Sequence, residues 1–403
     1  MDVSTKRQYW MLAISAALIL AVTTGLRNAL GLFVSPLNTS SGLGIVTISF
    51  ALAVGQFVSG ATQPILGALA NRVGSFRIIA LGAVLLAAGL AITPFMSSSF
   101  GLIVVLGIMT AIGSSGGSFS ILIGATAQRL PPERRAFASG FINAGGSFGQ
   151  FVFAPVAQAL ISAFGWLAAL LTLAVASLST IPLALPLRES KSAGPATNAV
   201  GISLSEQTLL AFKDRSYWCL HAGFFTCGFH IAFLVTHLPG EVDLCGLPAS
   251  VSAASLAIIG LANIAGSLSV GWLAQSYRMK FLLFWVYGIR AVAISCFLMA
   301  PRTPLTFYVF AVVLGLSWLA TVPPTAGLVG KLFGVRHLAT LFGLTFLSHQ
   351  IGAFFGAWLG GIAIARSGSY DWMWYADILL AAAAALVNLP IREAPPEFAA
   401  AAA

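Results

Sequence analysis

The stretch "LGALANRVGSFR", Leu66–Arg77, lies between long apolar runs and has a partner, "GWLAQSYRMK" at Gly271–Lys280, 204 residues after Gly67. Two arginines five residues apart stand out in a chain with only 8% charged residues. Two further stretches recur at nearly the same offset. "VLGIMTAIG" around Gly107 pairs with "VLGLSWLAT" around Gly315 (offset 208), and "ASGFINAGGSFG" around Gly140 pairs with "LFGLTFLSHQIG" around Gly343 (offset 203). Near-constant offsets over three landmarks argue an internal duplication, with the cationic stretch in equivalent places in both copies.

The apolar runs set the fold class. The 403 residues are 58% hydrophobic, with a mean hydropathy of +0.94. A soluble domain is nearer half apolar and a quarter charged, so an all-α polytopic membrane protein is expected. A helix of about 20 mostly apolar residues crosses a bilayer. Twelve such runs predict helices 1 to 12 at 11–34, 45–69, 78–97, 101–127, 136–160, 164–187, 216–239, 248–274, 281–300, 304–330, 338–365 and 371–389. Met1–Tyr9 leads into a run too long for a signal-peptide core, so the first helix is expected to stay in the mature protein. The longest inner loop, 188–215, is rich in Ser, Ala, Gly and charge and reads as a linker. The expected division is one six-helix bundle over 1–187, the linker, and a second bundle over 216–403.

Charge gives the orientation. With the N-terminus in the cytoplasm, 16 of the 20 Lys and Arg fall in inner segments, and only Arg302 and Arg366 fall in outer loops. That bias predicts both termini cytoplasmic, in a cell inner membrane. The net charge of +9 is then a topology signal. Nucleic-acid binding would need a soluble basic face, and none is expected. Cys219, Cys227, Cys245 and Cys296 lack C-x-x-C spacing, so neither a metal site nor a disulfide is expected. The nucleotide pattern G-x-x-x-x-G-K-[ST] is absent, and the few carboxylates lie mostly in loops. The expectation is no cofactor and no enzyme.

The pattern G-x-x-x-N-R-x-G-x-x-R at Gly67–Arg77 resembles the signature loop of the major facilitator superfamily, transporters built from parallel six-helix repeats. "GLRNALGLFVSPL" (25–37), "PPERRAFASG" (131–140), "GFHIAFLVTHLP" (228–239) and "TLFGLTFLSHQIGAFFGAWLGG" (340–361) are similar to a bacterial branch related to monocarboxylate transporters and oxalate/formate antiporters. The resemblance implies the major facilitator fold, two pseudo-symmetric six-helix bundles rocking about a central site. In the family the signature loop ties the halves together on the cytoplasmic side when the cavity faces outward. That places a cytoplasmic gate at Asn71, Arg72, Arg77, Gln275 and Arg278. Asn71 stands where the family carries Asp, and Gln275 occupies the matching place in the second copy. An amide hydrogen bond replaces an ion pair, which predicts a larger inward-facing population. Glu133 among Arg129, Arg134 and Arg135 is expected to pair at the same gate.

Within the runs, Arg27 is the sharpest signal. It lies about 24 Å along a helix of about 36 Å at 1.5 Å per residue, so it reaches cytoplasmic water poorly. Either it snorkels outward or it faces a wet cavity, where its planar fork matches a carboxylate. A basic residue of helix 1 that holds the substrate carboxylate in monocarboxylate transporters matches Arg27. Asn28 points about 100° away, toward a neighbour. Arg290 on helix 9 is a second buried cation, structural or a second anion contact, with Asp377 on helix 12 as a possible counter-ion. The family's Asp and Arg four apart on helix 8 are replaced by Asn263 and Ser267 within "GLANIAGS", 260–267. A mechanism resting on that charge pair does not transfer. Asn263 hydrogen-bonds either in the cavity or between helices.

No Glu or Asp is expected at mid-membrane, which leaves His230 and His349 as proton carriers, each with packing as its other reading. His237 shares a face with His230. Phe119, Gln150, Trp318, Thr321 and Gln350 are expected to join Arg27, His230, Asn263 and His349 around the substrate. The expected function is proton symport of a small organic anion by alternating access, carried out by a monomer in the bilayer. An exporter of drugs or metabolites, a non-transporting sensor on the same scaffold, and a channel are the alternatives.

Overall fold

The computed structural model describes residues 3–127, 132–188, 203–334 and 338–393. Regular structure among these is helical. Ten stretches are long and apolar enough to cross a membrane. One of them, Gly140–Leu183, is a pair. The helix Pro132–Leu178 turns at Gly165, whose φ of 82° suits only glycine. A further helix, Asp371–Asn388, has 18 residues and carries two carboxylates. The twelve traverses that the apolar runs predict are therefore present. They are helix 1 (Tyr9–Ser41), helix 2 (Ile45–Val73), helix 3 (Ser75–Ile92), helix 4 (Ser99–Thr126), helices 5 and 6 on either side of Gly165, helix 7 (Arg215–Leu244), helix 8 (Ala249–Leu273), helix 9 (Met279–Met299), helix 10 (Pro304–Phe333), helix 11 (Leu338–Ser367) and helix 12 (Asp371–Asn388).

Helix 1 runs further than its hydropathy suggested. After Ala29 a 3-10 turn over Leu30–Phe33 carries it into Val34–Ser41, and Gly42 ends it in the left-handed region. Pro36 sits in the first turn of that last piece, where a missing N–H is tolerated. Arg27 thus has 14 residues of helix beyond it, about 21 Å, and the outward snorkel loses its plausibility.

The duplication shows in the packing. Gly145 and Gly149 of helix 5 lie against the backbone of Ala17 and Ala21 in helix 1. Gly352 and Gly356 of helix 11 lie against Phe225 and Phe229 in helix 7. A Cβ at any of these four would overlap a neighbouring carbonyl, so the absence of a side chain is what lets the axes approach. Helices 4 and 10 also both break within their course. Helix 4 is π-helical over Ile103–Met109, stops at Gly116 and restarts at Phe119. Helix 10 stops at Ser317 and restarts at Val322. Such irregular turns free backbone groups and often mark functional positions.

At one end of the bundle, here the terminal face, Arg392 pairs with Asp214 at 2.7 Å and Glu393 stands 3.9 Å from Arg278 and 3.8 Å from Lys331. At the opposite face Glu241 pairs with Arg302 at 3.6 Å and accepts from Trp374 Nε1 at 3.2 Å. The N-terminal and C-terminal halves meet at mid-depth and toward the opposite face. Gly31 abuts the Val235 carbonyl, Gly361 abuts Ser49, and Phe50 packs on Phe354 and Trp358. Toward the terminal face, a Cβ on Gly67, Gly124, Gly140 or Gly343 would meet nothing within 4 Å. These contacts between the halves lie away from the terminal face.

Candidate functional site

Arg27 occupies the joint where helix 1 gives way to its 3-10 turn. Its Nη1 donates to Ser59 Oγ of helix 2 at 3.2 Å, and its Nε has no hydrogen-bond partner among the described residues. Ser59 in turn is 3.2 Å from Ser115 Oγ of helix 4, and Thr62 Oγ1 donates to the same Ser115 at 3.2 Å. A guanidinium held by a chain of neutral hydroxyls, with no carboxylate in ion-pair range among the described residues, keeps its positive charge and spare donor capacity. It lines a cavity of about 30 Å³ with Gln56, Thr110 and, from the other half, Val235 and Thr236. That volume holds a water or two. A ligand larger than that fits here only if the halves move apart.

Around Arg27 the polar residues named by the sequence divide into two groups. One group joins the halves. Asn28 Nδ2 donates to Gln150 Oε1 at 3.0 Å, so it does face a neighbour, and Gln150 Nε2 donates to the Leu256 carbonyl of helix 8 at 3.1 Å. Gln350 Nε2 donates to the Gln56 carbonyl at 3.0 Å, and its Oε1 is 3.0 Å from His349 Nδ1. Asn263 Nδ2 donates to Ser147 Oγ at 2.8 Å, while its Oδ1 accepts from the Leu319 N–H at 2.9 Å and from Ser267 Oγ at 3.1 Å. The two readings of Asn263 separate here: in this conformation its bonding capacity goes to the broken turn of helix 10 and to the partner half.

The second group lies inside the C-terminal half. Arg290 is fully buried, and its Nη2 donates to the carbonyls of Ser317 and, at 2.9 Å, Trp318. Both are freed where helix 10 breaks. Trp318 is 2% exposed within the apolar core, and Thr321 Oγ1 is 3.4 Å from Cys227 Sγ, so both sit behind the cavity wall here. Phe119 packs on the N-terminal-half cluster that holds Ile19 and Ile121. The expectation of no carboxylate at mid-membrane fails. Asp377 is fully buried and its Oδ1 lies 3.5 Å from Nδ1 of His230, midway along helix 7. The partner in ion-pair range of Asp377 is this histidine rather than Arg290. Sequence alone offers Asp377 only as a possible counter-ion for Arg290; the available signal of its depth is that helix 12 spans only 18 residues. His237 Nε2 is 2.7 Å from the Ala357 carbonyl, a packing use.

At the terminal face Arg72, Arg77, Gln275 and Arg278 are exposed. Arg278 turns to Glu393 of its own half. Residue Arg129 and the side chains of Asn71, Glu133, Arg134 and Arg135 lie outside what the structure describes. Ser59, the partner of Arg27, was missed because an isolated serine in an apolar run carries no pattern.

The family sequence model of the Major Facilitator Superfamily matches residues 13–357. The chain belongs to this superfamily. It is 24% identical over 387 residues to rat (Rattus norvegicus) monocarboxylate transporter 13, covering 94% of this chain and 89% of that protein. It is 21% identical over 365 residues to the oxalate:formate antiporter of Oxalobacter formigenes, covering 90% and 86%. Among solved structures, a D-xylose-proton symporter superposes with a TM-score of 0.77 at 14% identity, covering 95% of this chain and 98% of that one. That likeness concerns the fold alone. The protein is thus a multi-pass membrane transporter of the superfamily fold, with carboxylate carriers among its relatives by sequence.

Proposed function

We propose that the protein moves a small organic anion of the monocarboxylate class across the cytoplasmic membrane by alternating access, in symport with protons. One observation carries the substrate class: Arg27, the cation at the joint between the halves, has an unpartnered Nε and only a neutral hydroxyl for company. An anion is what such a group binds, and a cation is what it repels. The names of the two sequence relatives, a monocarboxylate transporter and an oxalate:formate antiporter, support the same class. The positive-inside bias supports a cytoplasmic terminal face, and contacts between the halves that lie away from that face fit an inward-facing conformation. Gln56 and Gln350 border the substrate position, and opening of the 30 Å³ cavity accompanies binding. The two halves, residues 1–187 and 216–403, are the bodies that rock.

Arg27→Ala tests this reading. Uptake of labelled formate, pyruvate and oxalate into proteoliposomes is expected to be saturable in the parent protein and absent in the variant, at equal yield of folded protein. Saturable uptake that survives the substitution would remove Arg27 from the site.

A further inference from the structure

The C-terminal half holds a polar set that the substrate position does not use. Arg290, Asp377 and His230 come from helices 9, 12 and 7, and each is 0% exposed. His230 Nδ1 lies 3.5 Å from Asp377 Oδ1 and 3.1 Å from the Thr226 carbonyl. Arg290 acts electrostatically on both. Yet Arg290 Nε and Nη1, both Asp377 oxygens and His230 Nε2 have no hydrogen-bond partner among the described residues. A purely structural ion cluster closes such valences, because each open one is costly in a buried setting. This cluster leaves room for a proton to change places. The other titratable groups around it are Cys227 on helix 7, Tyr287 on helix 9 and His349 on helix 11.

Two features connect the cluster to the rest of the molecule. A cavity of about 450 Å³ opens between helices 7, 11 and 12, and Thr226 and Leu380 line it, each within a helical turn of His230 and Asp377 respectively. Nearer the terminal face the same cavity is lined by His221, whose Nδ1 is 2.6 Å from Ser348 Oγ and whose Nε2 is unpartnered. On the other side, the His349 backbone abuts Gly228, two residues from His230, and its Nδ1 is 3.0 Å from Gln350 Oε1, whose side chain bonds the carbonyl of Gln56 on the Arg27 cavity.

We propose that His230 and Asp377, under the charge of Arg290, form the proton-binding site of this transporter, loaded through the cavity between helices 7, 11 and 12 and linked to the anion position through His349, Gln350 and Gln56. The proposal rests on the anion-symport reading above. Loading transfers one proton from hydronium in the water at the terminal face, by way of that cavity, to an Asp377 oxygen, releasing water, and no other bond changes. With His230 neutral, the set goes from zero net charge (Arg290 against Asp377) to plus one. An anion at Arg27 brings minus one. Each ligand lowers the electrostatic cost of the other, and by linkage the enhancement is the same in both directions.

Two measurements on the purified full chain test it. First, the Kd for pyruvate, formate and oxalate is measured between about pH 5.5 and about pH 8, the span over which an unperturbed histidine changes charge. Affinity is expected to rise on the order of five-fold or more as pH falls. Asp377→Asn is expected to flatten that dependence, and a parental slope in the variant overturns the proposal. Second, infrared difference spectra between the same two pH values need no substrate. A protonated-carboxyl band present in the parent and lost in Asp377→Asn supports the site. Its absence from the parent overturns the site even if anion binding is intact. His230→Gln, which keeps a polar side chain, should move the midpoint of that band; an unmoved midpoint removes His230 from the pair. Loss of binding at every pH in Arg27→Ala alone speaks to the anion position and leaves the infrared result to decide the proton site.

Discussion

The two intramembrane arginines stand in different chemical situations, although the halves that carry them are packed alike. In the N-terminal half the break in helix 4 leaves the Gly117 carbonyl free, and a threonine suffices for it: Thr23 Oγ1 donates at 3.0 Å. The arginine of that half is left over, and it borders a cavity. In the C-terminal half the break in helix 10 frees the carbonyls of Ser317 and Trp318, and there the arginine itself is used. The same backbone irregularity is answered by a neutral hydroxyl in one copy and by a guanidinium in the other. Depth in the membrane alone does not tell a binding cation from a structural one. What distinguishes them is whether broken backbone consumes the donors.

The largest expected effect tests the structural side of this contrast. Arg290→Met removes the donors to two buried carbonyls and leaves Asp377 without its compensating charge. Breaking such a set is expected to cost about 3–5 kcal/mol, read as a lower midpoint of thermal unfolding in detergent. Adding Asp377→Leu should recover part of that loss, since the orphaned carboxylate goes with it. If Arg290→Met instead folded with parental stability and lost only transport, the two arginines would be alike and the contrast would collapse.

On the binding side, Arg27→Lys keeps the charge but gives up the bidentate fork. The expected loss of anion affinity is about 1.5–3 kcal/mol, roughly ten-fold to two-hundred-fold, with unfolding temperature near the parental value because no backbone group depends on Arg27. Equilibrium binding of oxalate and formate separates the two: a stability loss as large as that of Arg290→Met would show Arg27 to be structural.

How far the sequence foresaw this contrast depends on the kind of signal. Helix number and order follow from hydropathy, because a membrane span must bury every backbone group in regular helix; boundaries moved, as at the joint at Gly165, the extension of helix 1 to Ser41 and that of helix 7 to Leu244. Arg27 was legible for the same reason, a charge far from either end. The fate of Arg290, Trp318, Thr321 and Asn263 was not. It depends on where helix 10 breaks, and Pro323 and Pro324 mark that region without saying which carbonyls come free. The His230–Asp377 pair needed the relative depth of helices 7 and 12, which no single-helix pattern contains.

Asn263 offers a finer test of the same break. Its Oδ1 holds the Leu319 N–H while its Nδ2 holds Ser147 in the other half. Asn263→Leu keeps the volume and strands a partly buried N–H, so about 1–2 kcal/mol of stability should go, with a smaller effect than Arg290→Met on thermal unfolding. A shift as large as that of Arg290→Met would mean that the amide, not the guanidinium, holds the broken turn.

The smallest effect concerns the terminal face, away from the contacts between the halves. The two cationic loops retain Arg72, Arg77, Arg278 and Lys280 but carry Asn71 and Gln275 where an acidic partner is absent. Arg278 lies toward Glu393 of its own half, 3.9 Å away, and is 59% exposed, so it is available to the other half only after leaving a weak contact. A carboxylate at position 71 would offer the facing helix ends an ion pair in the closed-inward arrangement and nothing in the splayed one. An exposed pair of this kind is worth about 0.5–1 kcal/mol, a shift of roughly two-fold to five-fold in the ratio of the two conformations. Asn71→Asp should therefore raise the labelling rate of a single cysteine placed in the cavity near the opposite face, with Cys245 and Cys296 replaced first because neither is buried. The shift should shrink in high salt, as a solvent-exposed ion pair does. An unchanged labelling rate would mean that the amide at position 71 has no part in setting the balance, and that the inward preference comes from the mid-depth bonds of Gln150, Asn263 and Gln350 instead.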